Sequence, residues 1–249
     1  MLVEEVPRSG KSGPDCGWKM NDVYAEMLPA RLGKKQIVSA YRRIAPIYDV
    51  WGRLTESRAQ DLCLEWAGIA DGEDVLDVAV GSGLLFRRLL ALNPSGYCAG
   101  LDLSEAMLRR ARSKAEAWPR QNWELVQGDA YALPWPAGRF DVVVNNYMFD
   151  LLPQSDFDQV LSEFKRVLKP GGRLAMVNMT GPESRVQAIW SWVYQVSPGL
   201  LGGCRGVHLL PWLERAGFTD TRRQFVSQST FPSEVVLARL PLATVANPE

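Results

Sequence analysis

The feature that most constrains this chain is a change of rhythm after Gly72, where strand-like runs and amphipathic stretches begin to alternate. Residues 74–80 (DVLDVAV), 96–102 (GYCAGLD), 123–127 (WELVQ), 140–145 (FDVVVN) and 173–179 (RLAMVNM) read as strands. Residues 83–92, 104–117 and 155–168 read as the helices between them. In the last, Ser155 stands at a cap position, Phe157, Val160, Leu161, Phe164, Val167 and Leu168 form one face, and KPGG at 169–172 stops the helix. Such alternation implies parallel pairing through right-handed crossovers. Near the C terminus, 218–228 and 233–240 are strand-like runs too close for a crossover, so they must form an antiparallel hairpin. The expected architecture is a Rossmann-like, doubly wound α/β fold. Its sheet has seven strands, mostly parallel, with a C-terminal antiparallel hairpin.

The rest of the chain divides around this core. Residues 1–33 are rich in Gly, Pro, Ser and charge, and loose order is expected there. Residues 34–71 read as a helical cap: Ile37, Tyr41, Ile44 and Tyr48 recur at helical spacing, Pro46 is expected to end or kink that helix, and a second helix covers 56–67. Residues 72–249 form the main domain, with an insertion at about 180–215 longer than a simple crossover. The 28 basic and 28 acidic residues cancel, which argues against nucleic acid or an anionic membrane as main partner. Cysteines at 16, 63, 98 and 204 show no paired spacing, and a single histidine argues against a zinc site, so no metal is expected. The opening MLVEEVPRSGKSG lacks a signal-peptide core and no long apolar run follows, so a soluble cytoplasmic protein without stable membrane insertion is expected.

The stretch DVLDVAVGSGLLF, residues 74–86, runs from the first core strand through glycines into a helix. In an open parallel sheet ligands sit beyond the carboxyl ends of the strands, and Gly81 and Gly83 carry no side chain to keep a ligand from the backbone. A tight turn wants glycine for structural reasons too. Asp102 adds a second signal: it ends the second strand 21 positions after Gly81, where a carboxylate can accept both hydroxyls of an adenosine ribose. A dinucleotide site wants a third glycine near position 86, and Phe86 stands there. A cofactor with a ribose and a zwitterionic tail fits better than a diphosphate, leaving an NAD(P)-dependent oxidoreductase as the alternative.

These residues resemble the class I S-adenosylmethionine-dependent methyltransferases. VLDVAVGSG is similar to the family's first motif, D-x-G-x-G-x-G, with Ala79 in place of the first glycine. GLDLSEAMLRRAR resembles the second, which implies Asp102 on the ribose, Leu103 beside the adenine and Met107 among the cofactor-binding residues. QGDAYALPWPAGRFDVVVNN resembles the third and fourth, implying that Asp129 faces the adenine amine and that Ala130 offers backbone to the ring. FKRVLKPGGRLAMVN is similar to the helix, turn and fifth strand that follow. YRRIAPIYD, DVAVGSG and ALPWPAGRFDVVV together resemble the ubiquinone/menaquinone-biosynthesis group, implying that Tyr41 and Tyr48 form a lid over the methionine end of S-adenosylmethionine. NNYMFDLLPQ replaces that group's usual glycine and Arg-Asn pair, which leaves the acceptor open.

The implied chemistry needs few special residues. A sulfonium carries an activated methyl, so the protein has to align sulfur, methyl and nucleophile and exclude water, an effect worth roughly 7–11 kcal/mol of barrier. Asp77 is expected to fix the glycine turn or the cofactor ammonium, with capping as the alternative, and Asn145 to serve the same tail. The acceptor, a small apolar or aromatic molecule attacking through carbon, oxygen, nitrogen or sulfur, is expected under the insertion. There Val186, Ile189, Trp190, Val193 and Tyr194 share a helical face, with core packing or a dimer contact as the alternative. Trp190 and Tyr194 are thus candidate acceptor residues. His208 is a candidate for acceptor binding and general base, against a capping or surface role; Asp150 and Tyr147 are further catalytic candidates. Cys204, in GGCRG, reads as a buried hydrophobe or a reactive thiol. A methyltransferase-fold protein that only binds is a third functional class, and the oligomer is expected to be a monomer or homodimer.

Overall fold

The computed structural model describes residues 27–119 and 122–242; the side chains of 42–48 and of Leu200, and with them Tyr48, lie outside the described residues. The expected sheet is present: seven strands in the order β3-β2-β1-β4-β5-β7-β6. These are β1 (Asp74–Val78), β2 (Tyr97–Asp102), β3 (Trp123–Gln127), β4 (Phe140–Asn146), β5 (Leu168–Met179), β6 (Thr219–Gln228) and β7 (Phe231–Arg239). The pairs among β1 to β5 are parallel, and β7 lies antiparallel between β5 and β6. The order reverses between β1 and β2 on one side and β4 on the other, which opens a crevice at the carboxyl end of β1.

Helices cover both faces because the strands are apolar on both. Val75, Val142 and Val144 join one core with α2 (Ser57–Ala67), α3 (Leu84–Leu92) and α4 (Glu105–Ala115). Leu76, Val78 and Val143 point the other way, against α5 (Phe157–Val167) and α7 (Leu210–Arg215). This two-residue alternation decides which polar strand residues reach the crevice.

Several boundaries move. The first helix, α1 (Lys34–Thr55), continues through Pro46 instead of stopping there. Proline removes one helical N–H bond, yet the helix is continuous from Lys34 to Thr55. Ser155 is no cap: it sits in a 3-10 turn, Gln154–Asp156, and its hydroxyl donates to Asp156. KPGG ends α5 as expected but belongs to β5 as a bulge, with the register jumping from Phe140↔Leu168 to Val142↔Arg173. In the insertion, α6 (Ala188–Val196) buries Tyr194, while Val186 and Ile189 are exposed. The five residues predicted to share a face therefore do not.

Candidate functional site

The turn after β1 is built around an unusual backbone. Ala79, the residue in place of the motif's first glycine, has φ 62°, and Gly81 has φ 56°. A left-handed alanine costs about 1–2 kcal/mol, and the turn is held by neighbours on both sides. Asp102 Oδ2 accepts the Gly81 N–H at 2.8 Å, Asp102 Oδ1 accepts the Ser104 N–H at 2.8 Å, and Val80 N donates to Leu101 O at 3.0 Å. The carboxylate ending β2 thus braces the glycine turn as well as facing the crevice. Burial raises the Asp102 carboxyl, while the amides of Ser104, Gly81 and Leu103 oppose that shift.

Two lobes open from this turn. The larger, an open cleft of about 820 Å³, is walled by Gly81, Asp102, Leu103, Met107, Asp129 and Ala130, with Tyr41, Ile37 and Val38 of α1 as its roof. Met148, Leu151 and Leu152, from the segment after β4, add apolar lining. A smaller lobe of about 390 Å³ holds Glu56, Gln60, Asp77, Ser82 and Leu84. Ala79, Gly81, Asn146 and Tyr147 line both lobes. Tyr41, Ala79, Gly81, Asp102, Leu103, Met107, Asp129 and Ala130 therefore meet around one space, and Asp77 reaches it through the smaller lobe.

The roof is tied down at both ends. Lys34 Nζ pairs with Asp129 Oδ2 at 2.6 Å and lies 3.5 Å from the centre of the Tyr131 ring. At the other end Asp49 accepts the Ser82 hydroxyl and pairs with Lys114 at 2.9 Å. Burial raises the Asp49 carboxyl, but Ser82, Lys114 and Arg110 outweigh it and hold the group below its usual value.

Other expected residues fall elsewhere. Gly83 lines neither lobe; a Cβ there would lie 2.6 Å from Ala111 Cα, so this glycine lets α3 pack on α4. Phe86 finds its room against Gly100 of β2. Asn145 is fully buried, and its amide donates to Val78 O at 2.8 Å, fastening β4 to β1 below the turn. One position along the strand, on the opposite face, Asn146 reaches the cleft instead.

The catalytic and acceptor candidates also separate. Tyr147 lines both lobes, but its hydroxyl is bonded to Ser233 at 2.8 Å, and burial lifts its pKa well above the usual phenol value. Asp150 is fully buried, lines neither lobe and accepts the Met179 N–H at 3.1 Å. Burial pushes its carboxyl up to about 7, against the Met179 amide and Arg205. His208 contacts Thr180 at 3.2 Å and lies outside both lobes. Trp190 packs on Trp51 and Phe231 and donates to Thr230 O, while the Tyr194 hydroxyl donates to Pro29 O at 2.8 Å. Both brace the roof instead of lining the cleft, because an aromatic periodicity reports burial without its partner. Cys204 is buried, and burial, then Asp150, raises its thiol well above its usual value, so it is not poised as a thiolate.

Two residues here escape motif reading. Glu56, between α1 and α2, is 4% exposed and lines the smaller lobe. Arg205 is 1% exposed and donates to the carbonyls of Leu28, Asp150 and Leu152, joining the segment before α1 to the loop after β4. The only sequence signal for Arg205 is a charge set among the small and apolar residues of GGCRGVHLL, and Glu56, in the polar stretch LTESRAQ, carries none.

Comparison with known proteins adds the family. Residues 75–172 match the model of a methyltransferase domain. A demethylmenaquinone methyltransferase of Thermus thermophilus is 35% identical over 181 residues, covering 68% of this chain and 79% of that protein. The chain belongs to the class I S-adenosylmethionine-dependent methyltransferases, of the menaquinone/ubiquinone type. A relative of the same description from Lactococcus lactis is 33% identical over 157 residues, 61% of this chain; the chain spans 62% of that relative's length. Among solved structures, the [4+2]-cyclase SpnF matches with a TM-score of 0.68 at 19% identity, over 88% of this chain and all of that one. A SAM-dependent methyltransferase from Aquifex aeolicus matches with a TM-score of 0.53 at 23% identity, over 76% of this chain and 92% of that one. Both likenesses concern the fold.

The methyltransferase cleft fits the family's cofactor. Gly81 leaves the turn open, since a Cβ there would meet nothing nearer than 4.0 Å. Asp77 Oδ2 and both amide atoms of Asn146 are buried without hydrogen-bond partners, as a zwitterionic tail would require. A diphosphate would instead meet the carboxylates of Asp77, Asp102 and Asp129, with Lys34 already paired to the last. Among the described residues no helix is long and apolar enough to cross a membrane, and no group of three or more side chains is placed to hold a metal.

Proposed function

We propose that this chain transfers a methyl group from S-adenosylmethionine to a small, apolar aromatic acceptor of the quinol class. The observation that carries the reading is the larger lobe, whose wall brings Asp102 and the Gly81 turn together with the apolar Met148, Leu151 and Leu152. The relatives' names, demethylmenaquinone methyltransferase, point to the acceptor class.

Asp102 holds the ribose hydroxyls, Leu103, Met107 and Ala130 flank the adenine, and Asp129 takes its amine after exchanging its contact with Lys34. Asp77 and Asn146 hold the amino-acid tail. Tyr41 and Tyr147 line the same lobe as Met148, Leu151 and Leu152, which receive the acceptor and keep water away. When bound, the donor supplies an electrophilic methyl on a sulfonium, displaced in line by the acceptor nucleophile. The protein's share is alignment and dehydration. His208 and Asp150 lie off the cleft wall, so this reading assigns neither of them as general base.

The test is turnover of purified protein with methyl-labelled donor and a reduced naphthoquinol carrying an apolar tail, read as a product one methylene heavier. A His208→Gln variant is expected to keep the pH profile of the wild type. Donor affinity without turnover across quinols and catechols would reduce the protein to a binding module.

A further inference from the structure

The smaller lobe contains more acid than the family motif accounts for. Besides Asp77 it takes in Glu56, whose hydrogen bond from Gln60 Nε2 is long, 3.4 Å. Asp77 is 1% exposed and its Oδ2 has no partner. No basic side chain lines the lobe. Two buried carboxyl groups without a cation must stay protonated or receive positive charge from outside. Burial, then the nearby Asp150 carboxylate, pushes Glu56 up to about 8; burial, then Asp102, lifts Asp77 well above its usual value. Both acids of the lobe therefore lie above the usual carboxylate range.

We propose that Glu56, which lines the same lobe as Asp77, is a second carboxyl that positions the primary ammonium of the donor's amino-acid tail; this rests on the donor assignment above. An ammonium fits better than a metal ion, because two carboxyls surrounded by the amides of Gln60 and Asn146 suit a group with several N–H donors. Those amides also offer N–H groups to the tail's carboxylate. Glu56 is a positioning residue: it lies on α2's side of the turn, so its contact couples the α1–α2 junction to the presence of a tail.

The experiment is calorimetric titration of the full chain with three ligands. S-adenosylhomocysteine carries the tail, its deaminated analogue keeps the carboxylate but lacks the ammonium, and methylthioadenosine lacks the tail. Wild type is expected to bind the first about 10- to 100-fold more tightly than the deaminated analogue. Glu56→Gln is expected to lose most of that preference while binding methylthioadenosine as wild type does. Glutamine matches the protonated acid in shape, so the variant is expected to fold; should it fail, Glu56→Asp is measured in the same way and is expected to weaken the preference. An unchanged preference, or equal weakening toward all three ligands, overturns the proposal. Wild type that binds none of the three would instead refute the donor assignment.

Discussion

Two alanine substitutions separate the roles of the glycines after β1. At Gly81 a Cβ has open space, its nearest neighbour being Ala79 O at 4.0 Å, so Gly81→Ala pays only for left-handed φ, about 1–2 kcal/mol. At Gly83 the φ is 83°, and the new carbon would also stand 2.6 Å from Ala111 Cα and 2.8 Å from its Cβ. Overpacking adds about 1–3 kcal/mol, giving about 2–5 kcal/mol in all. Reduced freedom of the unfolded chain offsets both by a similar few tenths to 1 kcal/mol. Binding should run the other way. The Gly81 methyl stands on the cleft floor and is expected to cost at least about tenfold in affinity for S-adenosylhomocysteine, as a lost close contact of roughly 1.4 kcal/mol would. Folded Gly83→Ala should bind as wild type. Urea unfolding gives the first quantity and calorimetry of folded protein the second. Equal stability losses would refute the tight α3–α4 contact, and undiminished affinity in Gly81→Ala would remove the turn from the binding site.

Two further outcomes follow from buried charge. Glu56, at about 8 when folded against 4.5 for the free side chain, keeps a proton that the unfolded chain releases, so donor-free stability should fall as pH rises from about 4.5 to 8. The Glu56 share is at most about 5 kcal/mol, and urea midpoints at several pH values should show Glu56→Gln flattening that slope; a slope of the opposite sign refutes it. Arg205→Met leaves the carbonyls of Leu28, Asp150 and Leu152 without their donor and should destabilise by roughly 3–5 kcal/mol, read by chemical unfolding. A loss below about 1 kcal/mol would mean that these contacts are replaced by water.

What could be read in the chain beforehand was what is local. Strand periodicity and the glycine turn lie within single segments, and Asp102 is tied to Gly81 by strand geometry, so the sheet and the wall of the cleft around Gly81 and Asp102 are legible in the sequence. The place of the insertion is not, because α6 shows which residues are apolar without showing that Trp190 meets Phe231 and Thr230. Asn145 and Asn146 differ by one step of a two-residue period, and only the register of β4 against β1 decides between them. Glu56 sits in a polar stretch, LTESRAQ, where nothing marks it as buried. Phe86 was read as the loss of a helix glycine, yet the compensating space lies in another strand, at Gly100.

The two anchors of α1 restrict how ligands come and go. Lys34 pairs with Asp129 at the start of the helix, and Asp49, towards its end, with Ser82 and Lys114, so the donor-free helix is pinned at two points. A beam fixed at both ends yields in its span, and Pro46 removes a backbone hydrogen bond from that span. Opening the cleft along this helix therefore calls for breaking one of the pins or for bowing the span that carries Pro46.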